Sequence, residues 1–139
     1  RISEARDEFL TMPRPVWLEI TGPVPDLARY YQSAKLAICP TTQGRGISVK
    51  TIEAFAAGLP VVGTSLAYRG MPKKELAAAG VQVFDEPADF AREVERIMKA
   101  QDLQRDIERS TTLYQKLFTP ERSLDVFRTM LSDLKLAAA

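Results

Sequence analysis

The chain has 139 residues, enough for one domain with a substantial core, and its 45% hydrophobic and 27% charged residues are ordinary for a globular protein. Nineteen basic against eighteen acidic residues give a net charge of +1, so no global field directs the chain to nucleic acid or a membrane surface. One cysteine, Cys39, excludes an intrachain disulfide, and the lack of histidine removes the commonest general base and metal ligand.

No cluster of cysteine or aspartate has metal-site spacing, and no metal is expected. The apolar runs fall short of the ~20 residues that span a bilayer. No signal-peptide pattern is seen and the chain begins at Arg1, so a piece of a longer protein is expected, with cytoplasmic residence and, for the full-length protein, the inner face of a membrane as an option.

In chain order, four short apolar runs read as strands: Val16 to Ile20, Lys35 to Cys39, Leu59 to Thr64 and Val81 to Phe84. Between the first two lies a helical pattern, residues 26–34, with Asp26 as N-cap. Between the second and third lies another, residues 48–58, with Ser48 as N-cap and Gly58 closing it. Residues 69–80 read as a loop leading into a short helix. Beyond Phe84 the pattern is helical: Pro87 opens one helix, Leu103, Ile107, Tyr114 and Leu117 continue, and Thr119-Pro120 restarts a last one. Strand–helix alternation with short connections predicts an α/β unit with a parallel sheet, followed by a helical tail.

The stretch TTQGRGISVKTIEAFAAGLPVV, residues 41–62, carries the most chemistry. It approaches a P-loop, but Val49 stands where that pattern needs glycine, so a P-loop is a poor reading. In open parallel sheets ligands gather beyond the carboxyl ends of strands, and this glycine loop is in that place. Backbone N–H groups of residues Ile47, Ser48, Val49 and Lys50 would face an anion, aided by the helix dipole. Gly44 and Gly46 permit close approach, and Lys50 adds a positive charge suited to phosphate. Glu53, one turn further, leans back to the same place and can accept paired hydrogen bonds from vicinal hydroxyls. Phosphate donors beside a diol acceptor describe a nucleotide with its ribose. Spacing alone leaves a second reading open: a turn before a capped helix, with Lys50 and Glu53 simply solvated. Trp17 is expected to pack in its strand, Cys39 to be a small buried residue, and Lys73 and Lys74 to be solvated. Tyr30 and Tyr31 are placed to flank a base, with at least one of them expected in the core.

The stretch GPVPDLARYYQSAKLAICPTTQGRGISVKTIEAFAAGLPVVGTSLAYRGMP, from Gly22 to Pro72, resembles the C-terminal, donor-binding domain of the group 1 retaining glycosyltransferases of the GT-B fold. The glycine loop, Lys50, Glu53-Ala54, Gly58 and Pro60-Val61-Val62 fall in register with that family's motif, and the likeness covers roughly residues 16–130. It implies a Rossmann-like parallel sheet and transfer of a sugar from a nucleotide-diphosphate donor to an acceptor hydroxyl with retention, usually without a metal or other cofactor. It implies that Glu53 holds the ribose hydroxyls, that Gly46, Ile47, Ser48 and Val49, with Gly44 and Lys50, meet the diphosphate and donor sugar, and that Gly22 and Val24 border the nucleobase.

Two departures stand out. Many relatives place an acid eight residues before the ribose glutamate, where this chain has Arg45. The family's opening strand–helix–strand unit and its acceptor-binding domain are missing, so residues 1–139 are read as one partial domain without turnover of its own. Removing that unit would leave the first two apolar runs either as unpaired edges or re-paired with each other. Unpaired edges predict a homodimer or a swapped assembly. The runner-up function is a non-catalytic α/β module binding a nucleotide or a protein, and a sugar-nucleotide epimerase domain comes third. Carbohydrate or cell-envelope biosynthesis is the expected setting.

Overall fold

A computed structural model of the chain describes residues 15–137. The elements are α1 (Ala28–Ser33), β1 (Ala37–Cys39), α2 (Val49–Ala56), β2 (Val61–Gly63), a 3₁₀ turn (Ser65–Tyr68), α3 (Lys73–Ala78), α4 (Pro87–Lys99), α5 (Gln104–Leu117) and α6 (Pro120–Ala137). β1 and β2 run parallel with Ala37 opposite Val61 and Cys39 opposite Gly63, joined by the α2 crossover. This is the βαβ unit that the alternation predicts, on a smaller sheet.

Two predicted strands do not form. Val16 and Trp17 sit in a turn in which the Leu18 N–H donates to the Pro15 carbonyl (2.9 Å). They are 106% and 79% exposed, so Trp17 packs nothing there. A strand is stable only beside a neighbour, and among the described residues Val16 to Ile20 has none. Residues 81–84 lie beside β2 but share one ladder bond with it, from the Phe84 N–H to the Gly63 carbonyl (3.1 Å). The re-pairing of the first two runs is therefore not seen, and nothing in the single chain supports the expected dimer. One apolar edge does stay open at β1, where Ile38 is 55% exposed.

The core gathers Cys39, Phe55, Ala67, Tyr68, Met71, Leu76 and Leu113, so the sheet, the crossover helix and the tail share one interior. Phe55 stacks on Tyr68 at 6.4 Å between ring centroids. α2 ends in a Schellman arrangement: Gly58 N–H donates to Phe55 and Leu59 N–H to Ala54 (both 3.0 Å). The buried Ser110 hydroxyl on α5 then donates to the Leu59 carbonyl (2.6 Å), which seats α5 on the end of α2. Lys35, just before β1, donates to the Met98 and Ala100 carbonyls (2.7 and 2.9 Å) at the end of α4, where a cation is favoured by the helix dipole. These ties hold β1 and α2, and so the loop between them, against the rest of the molecule.

Candidate functional site

The loop from Pro40 to Ser48 joins the end of β1 to the start of α2. Its glycines have left-handed backbone, φ +136° at Gly44 and +72° at Gly46, conformations that side chains resist. Among the described residues no backbone acceptor takes the N–H of Ile47, Ser48, Val49 or Lys50. Thr51 and Ile52, the next two, already donate to the Ser48 carbonyl (3.2 and 3.3 Å).

Ser48 caps α2 by position only. Its side chain makes no capping bond, because the buried hydroxyl lies 2.9 Å from that of Thr51. Thr51 is wholly buried and donates to the Ala67 carbonyl (2.8 Å), with Cys39 Sγ at 3.7 Å. The first turn of α2 is therefore pinned through Thr51, while the N–H groups of Ile47, Ser48, Val49 and Lys50 have no backbone acceptor among the described residues. Asp26 plays the role expected of it one residue early: its carboxylate accepts the Ala28 N–H at 2.8 Å, while Leu27 holds the cap position of α1.

Lys50 lies one turn before Glu53 on α2, and the structure sets α1 beside this part of the helix. Tyr31 donates its hydroxyl to Glu53 Oε2 (3.1 Å). Glu53 borders a groove with Ala28, Tyr31, Gln32, Ala56 and Ala57. Lys50 borders the neighbouring groove, whose walls include Tyr31, Ile38 and Cys39. Burial, then the hydrogen bond and negative charge of Glu53, push the Tyr31 phenol up to about 12. It is therefore a neutral donor at ordinary pH, aimed at a carboxylate whose second oxygen takes no donor among the described residues. The expectation that at least one of Tyr30 and Tyr31 is core is not met, since both are only half-buried, and Tyr31 reaches Glu53 instead.

Gly22 and Val24 lie in the loop before α1, with Gly22 exposed at φ +64° and open space where a side chain would stand. The grooves at Glu53 and Lys50 are lined without either of them. Arg45 is exposed on the glycine loop. Sequence reasoning missed Arg69, whose guanidinium donates to the carbonyls of Arg45 (3.1 Å) and Gly46 and lies over Gly44. Its only sequence signal is an arginine between Tyr68 and Gly70, after β2, 23 residues from Gly46. Among the described residues no three His, Cys, Asp or Glu side chains gather as a metal-holding set.

A strand, a glycine loop and a helix start with free N–H groups thus lead, one turn later, to a carboxylate. The family model of the glycosyl transferases group 1 matches residues 6–100, more than half of the chain. The chain belongs to that family. No curated protein and no solved structure matches it. The group 1 match ends just past α4, so α5 and α6 lie beyond it, although α5 supplies Leu113 and Ser110 to the interior under the site. As a glycosyl transferase domain the chain is α/β, and among the described residues no helix is long and apolar enough to cross a membrane.

Proposed function

We propose that the chain is the donor-binding part of a GT-B-fold glycosyltransferase that moves a sugar from a nucleotide-diphosphate donor to an acceptor hydroxyl with retention. On this reading the chain supplies the donor side of the transfer. Gly44, Gly46 and the N–H groups of Ile47, Ser48, Val49 and Lys50 receive the diphosphate and donor sugar. Glu53 holds the ribose hydroxyls, and the nucleobase lies toward Gly22 and Val24. No metal or other cofactor is called for.

The observation that carries this reading is the join of the N–H groups of Ile47, Ser48, Val49 and Lys50, without a backbone acceptor among the described residues, to a carboxylate one turn on that Tyr31 already orients. An anion is favoured at such a helix start, and a carboxylate with one oxygen free accepts a hydroxyl pair. The test is calorimetry with a panel of nucleoside diphosphates against the parent and Glu53→Ala. At least one diphosphate should bind, and losing hydrogen bonds to a charged group should cost about 1.5–3 kcal/mol. Equal affinity in the variant would refute the ribose role.

A further inference from the structure

Arg69 lies outside the glycine loop and its helix, yet its side chain is bonded to the loop's backbone. Its Nε–H donates to the Gly46 carbonyl and Nη2 to the Arg45 carbonyl (3.1 Å). Nη1 donates to the Leu66 carbonyl (3.2 Å), which ties the arginine to its own 3₁₀ turn. That turn is itself fixed, since Ala67 and Tyr68 are core residues. The guanidinium lies so close to Gly44 that a Cβ there would stand 3.0 Å from one of its nitrogens. The next residue, Gly70, is also close: a Cβ there would meet Ile47 Cβ at 3.3 Å. The Arg69-Gly70 pair is thus seated on the loop from one side along its length.

We infer that Arg69 is a positioning residue for the donor diphosphate: by gripping the carbonyls of Arg45 and Gly46 it turns the N–H groups of Gly46 and Ile47 to the opposite side. The inference rests on the reading of α2 as the diphosphate site. Every peptide bond described is trans, so each N–H points opposite to the carbonyl of its own peptide unit. Two carbonyls held by Arg69 mean two successive amides directed away from it. With the N–H groups of Ser48, Val49 and Lys50, none of which meets a backbone acceptor among the described residues, they extend the donor set from the helix start into the loop. A loop with two left-handed glycines would otherwise sample many arrangements, and each would have to be ordered when the anion binds. Arg69 meets that cost during folding. Its charge acts in the same direction, since no carboxylate lies within ion-pair distance of it among the described residues.

The experiment uses the 139-residue chain with inorganic pyrophosphate as the probe and two variants, Arg69→Lys and Arg69→Gln. Lysine keeps the charge but replaces a rigid planar fork by one flexible nitrogen, and glutamine removes the charge as well. Amide NMR order parameters of residues 44–47 without ligand should fall in both variants, while thermal unfolding shows whether each still folds. Pyrophosphate affinity should drop about tenfold for lysine, the scale of one lost charged hydrogen bond, and further for glutamine. Unchanged loop order in both variants overturns the inference, and so does a lysine variant that binds as tightly as the parent, since Arg69 would then act by charge alone. A parent that binds no pyrophosphate, with a loop that still loosens in the variants, overturns the diphosphate reading of α2 and leaves the grip on the loop standing.

Discussion

Lys50 stands at the second position of α2, exposed and bordering the groove against α1. Among the described residues it has no carboxylate within ion-pair distance, Glu53 being held by Tyr31 instead. Its leverage on a ligand is therefore electrostatic. Lys50→Ala should weaken a nucleoside diphosphate more than the bare nucleoside, and the difference should shrink as salt rises. Calorimetry at two ionic strengths checks this; equal losses for both ligands would remove Lys50 from the proposed phosphate site. Tyr31 gives a pH prediction. Its phenol is raised from 10.0 to about 12 in the folded chain, first by burial and then by Glu53. The fold thus holds that proton more tightly than the unfolded chain does. The stabilisation is complete below the unfolded value of 10.0 and is lost as pH climbs through about 12. Tyr31→Phe should lose less stability than the parent across that window in a denaturant series, and identical profiles would show that the phenol is not held this way. The Lys50–Glu53 face could be read from their spacing, since residues one turn apart on a helix share a side. Tyr31 and Arg69 could not be assigned to the site in that way. Each meets its partner more than twenty residues away, and no local spacing encodes such a contact.

At the scale of elements, β2 ends at Gly63 because nothing larger fits. A Cβ there would stand 2.8 Å from Ala67 Cβ and 3.1 Å from the Tyr68 ring, where the 3₁₀ turn folds back on the strand. Gly63→Ala should therefore force the turn off β2 and cost about 1–3 kcal/mol, as overpacking in a core does. Equilibrium denaturation measures the loss, and a neutral result would mean that the turn yields freely. Glycine inside a strand pattern is a sequence signal of close approach, although which neighbour approaches is not written locally. Helices α1, α2, α4 and α6 were legible almost to their ends, because their apolar period and end signals lie within the element, whereas α3 was placed only within residues 69–80 and the break between α4 and α5 was not read. The strands were legible only where a partner exists. Val16 to Ile20 has as good a strand composition as Lys35 to Cys39, but only the latter lies beside β2.

For the whole molecule, the described residues divide into a packed body and a loosely attached last helix. Leu113 on α5 is 1% exposed and belongs to the core shared with β1 and α2. The side chains of residues 120–133 on α6 are all exposed, Phe127 by 59%. Deleting residues 120–139 should change stability by less than about 1 kcal/mol, whereas Leu113→Ala should cost about 2–5 kcal/mol. Denaturant titration compares the two directly. A deletion as damaging as the core substitution would show that α6 is part of the same cooperative unit.

The sequence by itself determined the βαβ crossover, the glycine loop, the face shared by Lys50 and Glu53, the helical tail and the family. All of these depend on patterns repeated within a few residues or on a motif contiguous along the chain. Only the tertiary structure decided which apolar runs became strands, that Tyr31 would hold Glu53, and that Arg69 would grip the loop from beyond β2. A hydrogen bond between distant segments depends on how the intervening elements pack, and that packing is a property of the assembled core rather than of any stretch of residues.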